Sequence, residues 1–128
     1  MANNYTEFSF MLDNVSDEEL SWLTHFERRF YDLYEDDFFG PAYYERSGDG
    51  LWFNSDAGEG DIDFTAYLIH RFLHHFKRPD IVSFTWAATC SKPRVGEFGG
   101  GGVIISAKEV NFWDAWSWVE KTKEAMAK

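Results

Sequence analysis

The chain has 128 residues, 45% of them hydrophobic and 20% aromatic, with 22 Asp and Glu against 12 Lys and Arg, for a net charge of −10. Residues 1–128 read as one domain with room for a ring-rich core, and no apolar run reaches the length of a membrane span. A field this negative disfavours direct contact with nucleic acid or anionic membrane, which are held mainly by cations.

The charge is unevenly placed. Residues 1–63 hold 16 acids and 3 bases, a balance of −13, and residues 64–128 hold 6 acids and 9 bases, a balance of +3. The expected partner is therefore cationic. The single Cys90 excludes an intramolecular disulfide. The start, MANNYTEFSF, has neither the basic nor the apolar region of a secretory signal, so cytoplasmic residence is expected.

Residues 5–12 alternate Thr6, Phe8, Phe10 and Leu12 against Tyr5, Glu7, Ser9 and Met11, which predicts a first strand. Ser16 and Glu19 form a capping box, and the acids at 17–19 suit a helix dipole. Leu20, Leu23, Phe26, Phe30 and Leu33 keep helical spacing, so a helix is expected over about 17–34, with Trp22 and Tyr34 extending its stripe.

Residues 35–50 read as a connector broken by Gly40-Pro41 and by the turn cluster 47–50. Phe38, Phe39, Tyr43 and Tyr44 make it an ordered aromatic loop. Leu51-Trp52-Phe53 predicts a short strand, and 54–60 a turn. Asp61 caps a second helix running to about Lys77, with Ile62, Ala66, Ile69, Leu73 and Phe76 in one stripe. Pro79 stops it.

The chain is organised around residues 81–106. Val82, Phe84, Trp86 and Ala88 alternate with Ser83, Thr85, Ala87 and Thr89 as a strand. Val103-Ile104-Ile105 reads as its hairpin partner, with Pro93, Gly96 and Gly99 to Gly102 in an elaborate connecting loop. Residues 107–109 form a turn, 110–113 a short strand, and Asp114 caps a last helix with Trp116, Val119 and Met126. Its polar end, 121–128, is expected to fray. The sum is an α+β domain in two layers, helices on a mainly antiparallel sheet, with a ferredoxin-like or related split βαβ arrangement expected.

Four constellations bear on chemistry. Cys90, Ser91, Lys92 and Arg94, with Gly99 and Gly100, could form a thiol or anion loop, the two cations lowering the thiol pKa. The glycines lead into a strand, whereas a phosphate loop leads into a helix. His70 and His74 share a helix face, but Arg71 stands where the zincin pattern has Glu, and no metal or other cofactor is expected. The third constellation, Asp56, Glu59, Asp61 and Asp63, lacks the order of a calcium loop. The fourth is Asp32, Glu35, Asp36 and Asp37, at a helix end where the dipole disfavours acids. These eight carboxylates together could imitate spaced phosphates.

The segment Trp86-Ala87-Ala88-Thr89-Cys90-Ser91-Lys92-Pro93-Arg94, continued by Glu97-Phe98-Gly99-Gly100-Gly101, resembles one in small, uncharacterised acidic proteins of bacteriophages and mobile elements. The likeness extends loosely to Ser16–Leu23 and Leu51–Gly60. It implies no catalytic activity. It implies a phage context in a bacterial host, where such proteins often inhibit nucleic-acid-handling machinery, as anti-restriction and anti-CRISPR proteins do. The expected function is thus non-enzymatic: the eight acids present carboxylates to a basic, nucleic-acid-binding surface of a host protein. The alternatives are an enzyme or ligand module on the Cys90–Arg94 loop, and a homo-oligomer joined by its surplus aromatic residues.

Overall fold

A computed structural model describes residues 3–34, 40–56 and 58–128. The elements are β1 (Asn4–Glu7), β2 (Ser9–Leu12), α1 (Asp17–Leu33), β3 (Tyr43–Ser47), β4 (Gly50–Asn54) and α2 (Ile62–His75). They are followed by β5 (Val82–Cys90), β6 (Gly99–Ile105), β7 (Val110–Asp114) and α3 (Ala115–Met126). The class is α+β, as the sequence predicts.

A ferredoxin-like or split βαβ layout would join the strands in one sheet. Here they divide between two, β1-β5-β6-β7 and β2-β4-β3, every pair antiparallel. The division falls inside the predicted first strand. Phe8 donates its N–H to Ser55 Oγ at 3.2 Å and accepts from the Ser55 N–H at 3.1 Å. Both its backbone groups are thus spent on Ser55, and the chain passes from one sheet to the other there. The Phe8 and Phe10 rings pack on Phe84 of β5, Phe10 stacked at 4.3 Å, so the two sheets share one core.

Against this core lie α1 and α2. On α2, Phe64, Ala66, Leu68, Ile69, Phe72 and Leu73 are buried, the wide stripe expected of a helix covered on more than one side. The Ser16–Glu19 capping box starts α1, each residue's side chain accepting from the other's N–H. Arg78, past the end of α2, donates to the carbonyls of Asp13 and Asn14, pairs with Glu19 and Asp80, and lies over the Phe72 ring. One guanidinium therefore ties the end of α2 to the β2–α1 turn.

Residues 43–47, expected as an aromatic loop, form β3 and pair with β4. Gly99 to Gly102, expected in the connecting loop, belong to β6 and pair with Ala88 through Thr85. The reason is ring packing. A Cβ on Gly99 would come within 2.5 Å of the Trp116 ring, and one on Gly101 would strike the carbonyl of Trp113 and lie 2.9 Å from the Trp86 ring. Only glycine leaves room for rings that close on the ladder. Finally, α3 runs to Met126, past the point where fraying is expected, and none of its residues is buried. No helix among the described residues is long and apolar enough to cross a membrane.

Candidate functional site

Four of the eight acids that the sequence singles out, Asp56, Glu59, Asp61 and Asp63, lie at the junction between β4 and α2. The turn after β4 is fixed by its own backbone. The Asp56 N–H bonds Asn54 Oδ1 at 2.9 Å, and the N–H groups of Glu59 and Gly60 both reach the Ser55 carbonyl at 2.8 Å. Asp56 has φ +45, a conformation that Asn and Asp accept more readily than most residues. Gly58 lies against Tyr5, where any Cβ would collide with the ring. The carboxylates of Asp56 and Glu59 are exposed on this turn.

Asp61 has a different job. It caps α2, accepting from Phe64 N–H at 2.8 Å, and its second oxygen accepts from Gly40 N–H at 2.8 Å. Half-buried and fully bonded, it holds the site together and is not a free contact. Asp63, two residues on, is exposed in the first turn of α2.

Electrostatics join these groups into one field. Burial raises the Tyr43 phenol above its ordinary value, and the carboxylates of Glu59 and Asp56 raise it further. Burial pushes the Tyr31 phenol up to about 12, with Glu27, Asp61 and Tyr43 contributing. Desolvation raises the Asp63 carboxyl, and Asp61 adds to this. Among the described residues the ion pairs are Arg46–Asp17, Arg78–Glu19, Arg78–Asp80 and Lys123–Glu120. None of them neutralises Asp56, Glu59, Asp61 or Asp63.

The other predicted cluster fares differently. Asp32 is exposed on the last turn of α1, three and four residues from Arg29 and Arg28, so it is not a purely negative spot. Glu35, Asp36 and Asp37 lie outside the described residues.

Beside the acids runs a groove of about 340 Å³ that sequence reading did not find. Trp22, Phe26, Phe30 and Tyr34 of α1 face Tyr67 of α2 across it, with His25 and Arg29 on its wall. Tyr34 and Tyr67 are exposed. Asp63 stands one helical turn from Tyr67, which places a carboxylate next to ring anchors. Helical spacing of rings reads as core stripe in a sequence, and only the shallow cover over this end of α1 turns it into a surface.

The Cys90–Arg94 loop begins at the end of β5. Cys90 is half-buried at the end of β5, opposite Asn4 of β1. Ser91 is spent on Asn3, donating its N–H at 2.9 Å and accepting at Oγ at 2.8 Å. Lys92 and Arg94 are exposed. Gly99 and Gly100 are strand residues of β6, in register with Ala88 and Ala87 of β5. His70 bonds the carbonyl of Ser106, beyond the other end of β5. Eight residue steps at about 3.3 Å separate it from Cys90 by roughly 26 Å. His75 stacks on Trp22 at 4.6 Å. No group of three His, Cys, Asp or Glu among the described residues is placed to hold a metal ion.

Fold and surface together define a small α+β domain with exposed carboxylates at Asp56, Glu59 and Asp63, where β4 leads into α2. No family model, no curated protein and no solved structure matches this chain.

Proposed function

We propose that this chain is a non-enzymatic binding protein that presents carboxylates to the basic, nucleic-acid-binding surface of another protein. The observation that carries this reading is the set of exposed carboxylates Asp56, Glu59 and Asp63, on the hydrogen-bonded turn after β4 and the first turn of α2. These carboxylates have no cation among the described residues, although nine Lys and Arg sit in the second half of the chain. Holding like charges together lowers the stability of a free domain, and a cationic partner relieves that repulsion. Tyr34 and Tyr67 supply ring anchors beside Asp63, in keeping with the dominance of such residues in interface energetics. The finer version, an inhibitor of host nucleic-acid-handling defence machinery of the anti-restriction or anti-CRISPR type, is supported by the resemblance of residues 86–101 to acidic phage proteins.

The test is competition. A basic nucleic-acid-binding domain is loaded with a labelled oligonucleotide, and the chain is titrated in. Displacement is expected, and it weakens as salt rises. The triple reversal D56K/E59K/D63K is expected to lose roughly threefold to a hundredfold in affinity, at about 0.2–1 kcal/mol for each exposed pair removed. Displacement that ignores both salt and the triple reversal overturns the reading.

A further inference from the structure

We infer that the β7 edge and the adjoining face of α3 bind a second copy of this chain, strand to strand. The first observation is backbone geometry. β7 is the outer strand of the four-stranded sheet. The Ser106 N–H donates to the Glu109 carbonyl at 2.9 Å, so these two residues form a hydrogen-bonded pair of the β6–β7 ladder. Such pairs alternate along an antiparallel ladder. Given the register of Ile104 with Asn111 and Gly102 with Trp113, the N–H and C=O groups of Val110 and Phe112 point away from β6. Among the described residues no further strand pairs with β7 on that side, and the Trp116 ring of α3 lies against Gly99.

The second observation is the surface around that edge. Ile104, Phe112, Trp113, Trp118, Val119 and Met126 are all exposed. Trp113 and Ile104 border a shallow hollow of about 290 Å³ with Thr85 and Gly102. Natural edge strands carry charges, prolines or bulges that prevent pairing, and this one carries rings.

The third observation is charge, and it selects the occupant. Residues 99–128 hold four acids, Glu109, Asp114, Glu120 and Glu124, and four Lys, for a balance of zero in a chain of −10. Two copies meeting here keep their acidic ends outward and bring no net charge together. A nucleic acid or a strongly charged partner gains nothing from a neutral face. Antiparallel pairing centred on Phe112 sets Val110 opposite the partner copy's Asp114 and makes one eight-stranded sheet from two four-stranded ones. The result is a two-fold particle with two acidic ends, the closed symmetry most common among homo-oligomers.

Sedimentation of the full chain at rising concentration tests this, read beside amide exchange at Val110 and Phe112. The expected result is a particle of two 15.0 kDa chains, with both amides slowed. Phe112→Lys is expected to return a single chain of unchanged circular dichroism, since Phe112 is exposed, and to free the Val110 amide. Phe112→Leu keeps the dimer. A single chain at all concentrations overturns the inference. So does a dimer that survives Phe112→Lys, or one in which the two amides exchange freely. Binding of the wild-type single chain to neutral phosphatidylcholine vesicles would assign the rings to a membrane surface and overturn it as well.

Discussion

Two exposed ends of this molecule are built in opposite ways. Between Asp56 and Asp63 the backbone is closed on itself, by the Ser55 and Asp61 hydrogen bonds, and the exposed side chains are charged. Across β7 and α3 the backbone edge is open, the exposed side chains are rings, and the charge balances to zero. The contrast shows what each end can recognise. Fixed carboxylates select for cationic groups through a long-range field that steers encounter and fades in salt. An open strand flanked by rings selects for another strand through short-range contact, with little dependence on salt.

The comparison can be sharpened by substitution. The largest contrast lies between the two helices that flank it. Phe72→Ala in α2, where the ring is buried beneath Arg78, is expected to cost about 3–5 kcal/mol in denaturant titration. Val119→Ala in α3 is expected to stay within about 0.5 kcal/mol when measured on the single chain. Equal losses would show that α3 is part of the core after all.

Next come the strand glycines. Gly101→Ala forces a methyl into the Trp113 carbonyl, and it is expected to cost about 3 kcal/mol, at the upper end of overpacking penalties. Gly99→Ala meets only the Trp116 side chain, which is exposed and can swing away. Its effect should be smaller by about half or more, and it should shift Trp fluorescence.

The helix caps give a smaller contrast. Asp61→Ala loses the α2 cap and the Gly40 bond, and should cost about 1–2 kcal/mol, whereas Asp114→Ala loses the α3 cap and an exposed bond from the Ser117 hydroxyl and should cost about 0.5 kcal/mol.

The smallest effect is a pH signature. Burial raises the Glu27 carboxyl above its ordinary value, and its bond from the Tyr44 hydroxyl lowers it only in part. A raised carboxyl favours the fold while protonated, and that contribution is lost as pH rises through the folded value. Glu27→Gln should therefore be more stable than the wild type at neutral pH, by about 0.5 kcal/mol because solvent screens the group. The two proteins should converge near pH 3. A variant that is less stable at neutral pH would reverse the sign.

How much of this was legible in the sequence follows from which interactions are local. The Ser16–Glu19 box, the Asp61 and Asp114 caps and the β5 alternation are written in neighbouring residues, and all are found in place. The break at Phe8 was not legible, because its alternation is intact and its cause, Ser55, lies 47 residues away. Gly99 to Gly102 look like a loop because glycine marks turns, and what demands them at 99 to 101 is distant in sequence: the rings of Trp116 and Trp86 and the carbonyls of Trp86 and Trp113. The strand 43–47 was hidden by its place between two breakers, although Ala42 and Tyr44 alternate with Tyr43 and Glu45. Of the acidic site, the residues were legible but not their division of labour: Asp61 bonds inward while Asp56, Glu59 and Asp63 are exposed, Glu59 beside the Tyr43 hydroxyl.

The most direct measurement is a titration of the isotope-labelled chain with an arginine-rich peptide, followed by amide chemical shifts at low and high salt. The account predicts that shifts concentrate at residues 56–63 and the Tyr34–Tyr67 groove, and disappear as salt rises, with β7 and α3 unmoved. Shifts spread evenly over the surface, or centred on α3, would contradict it.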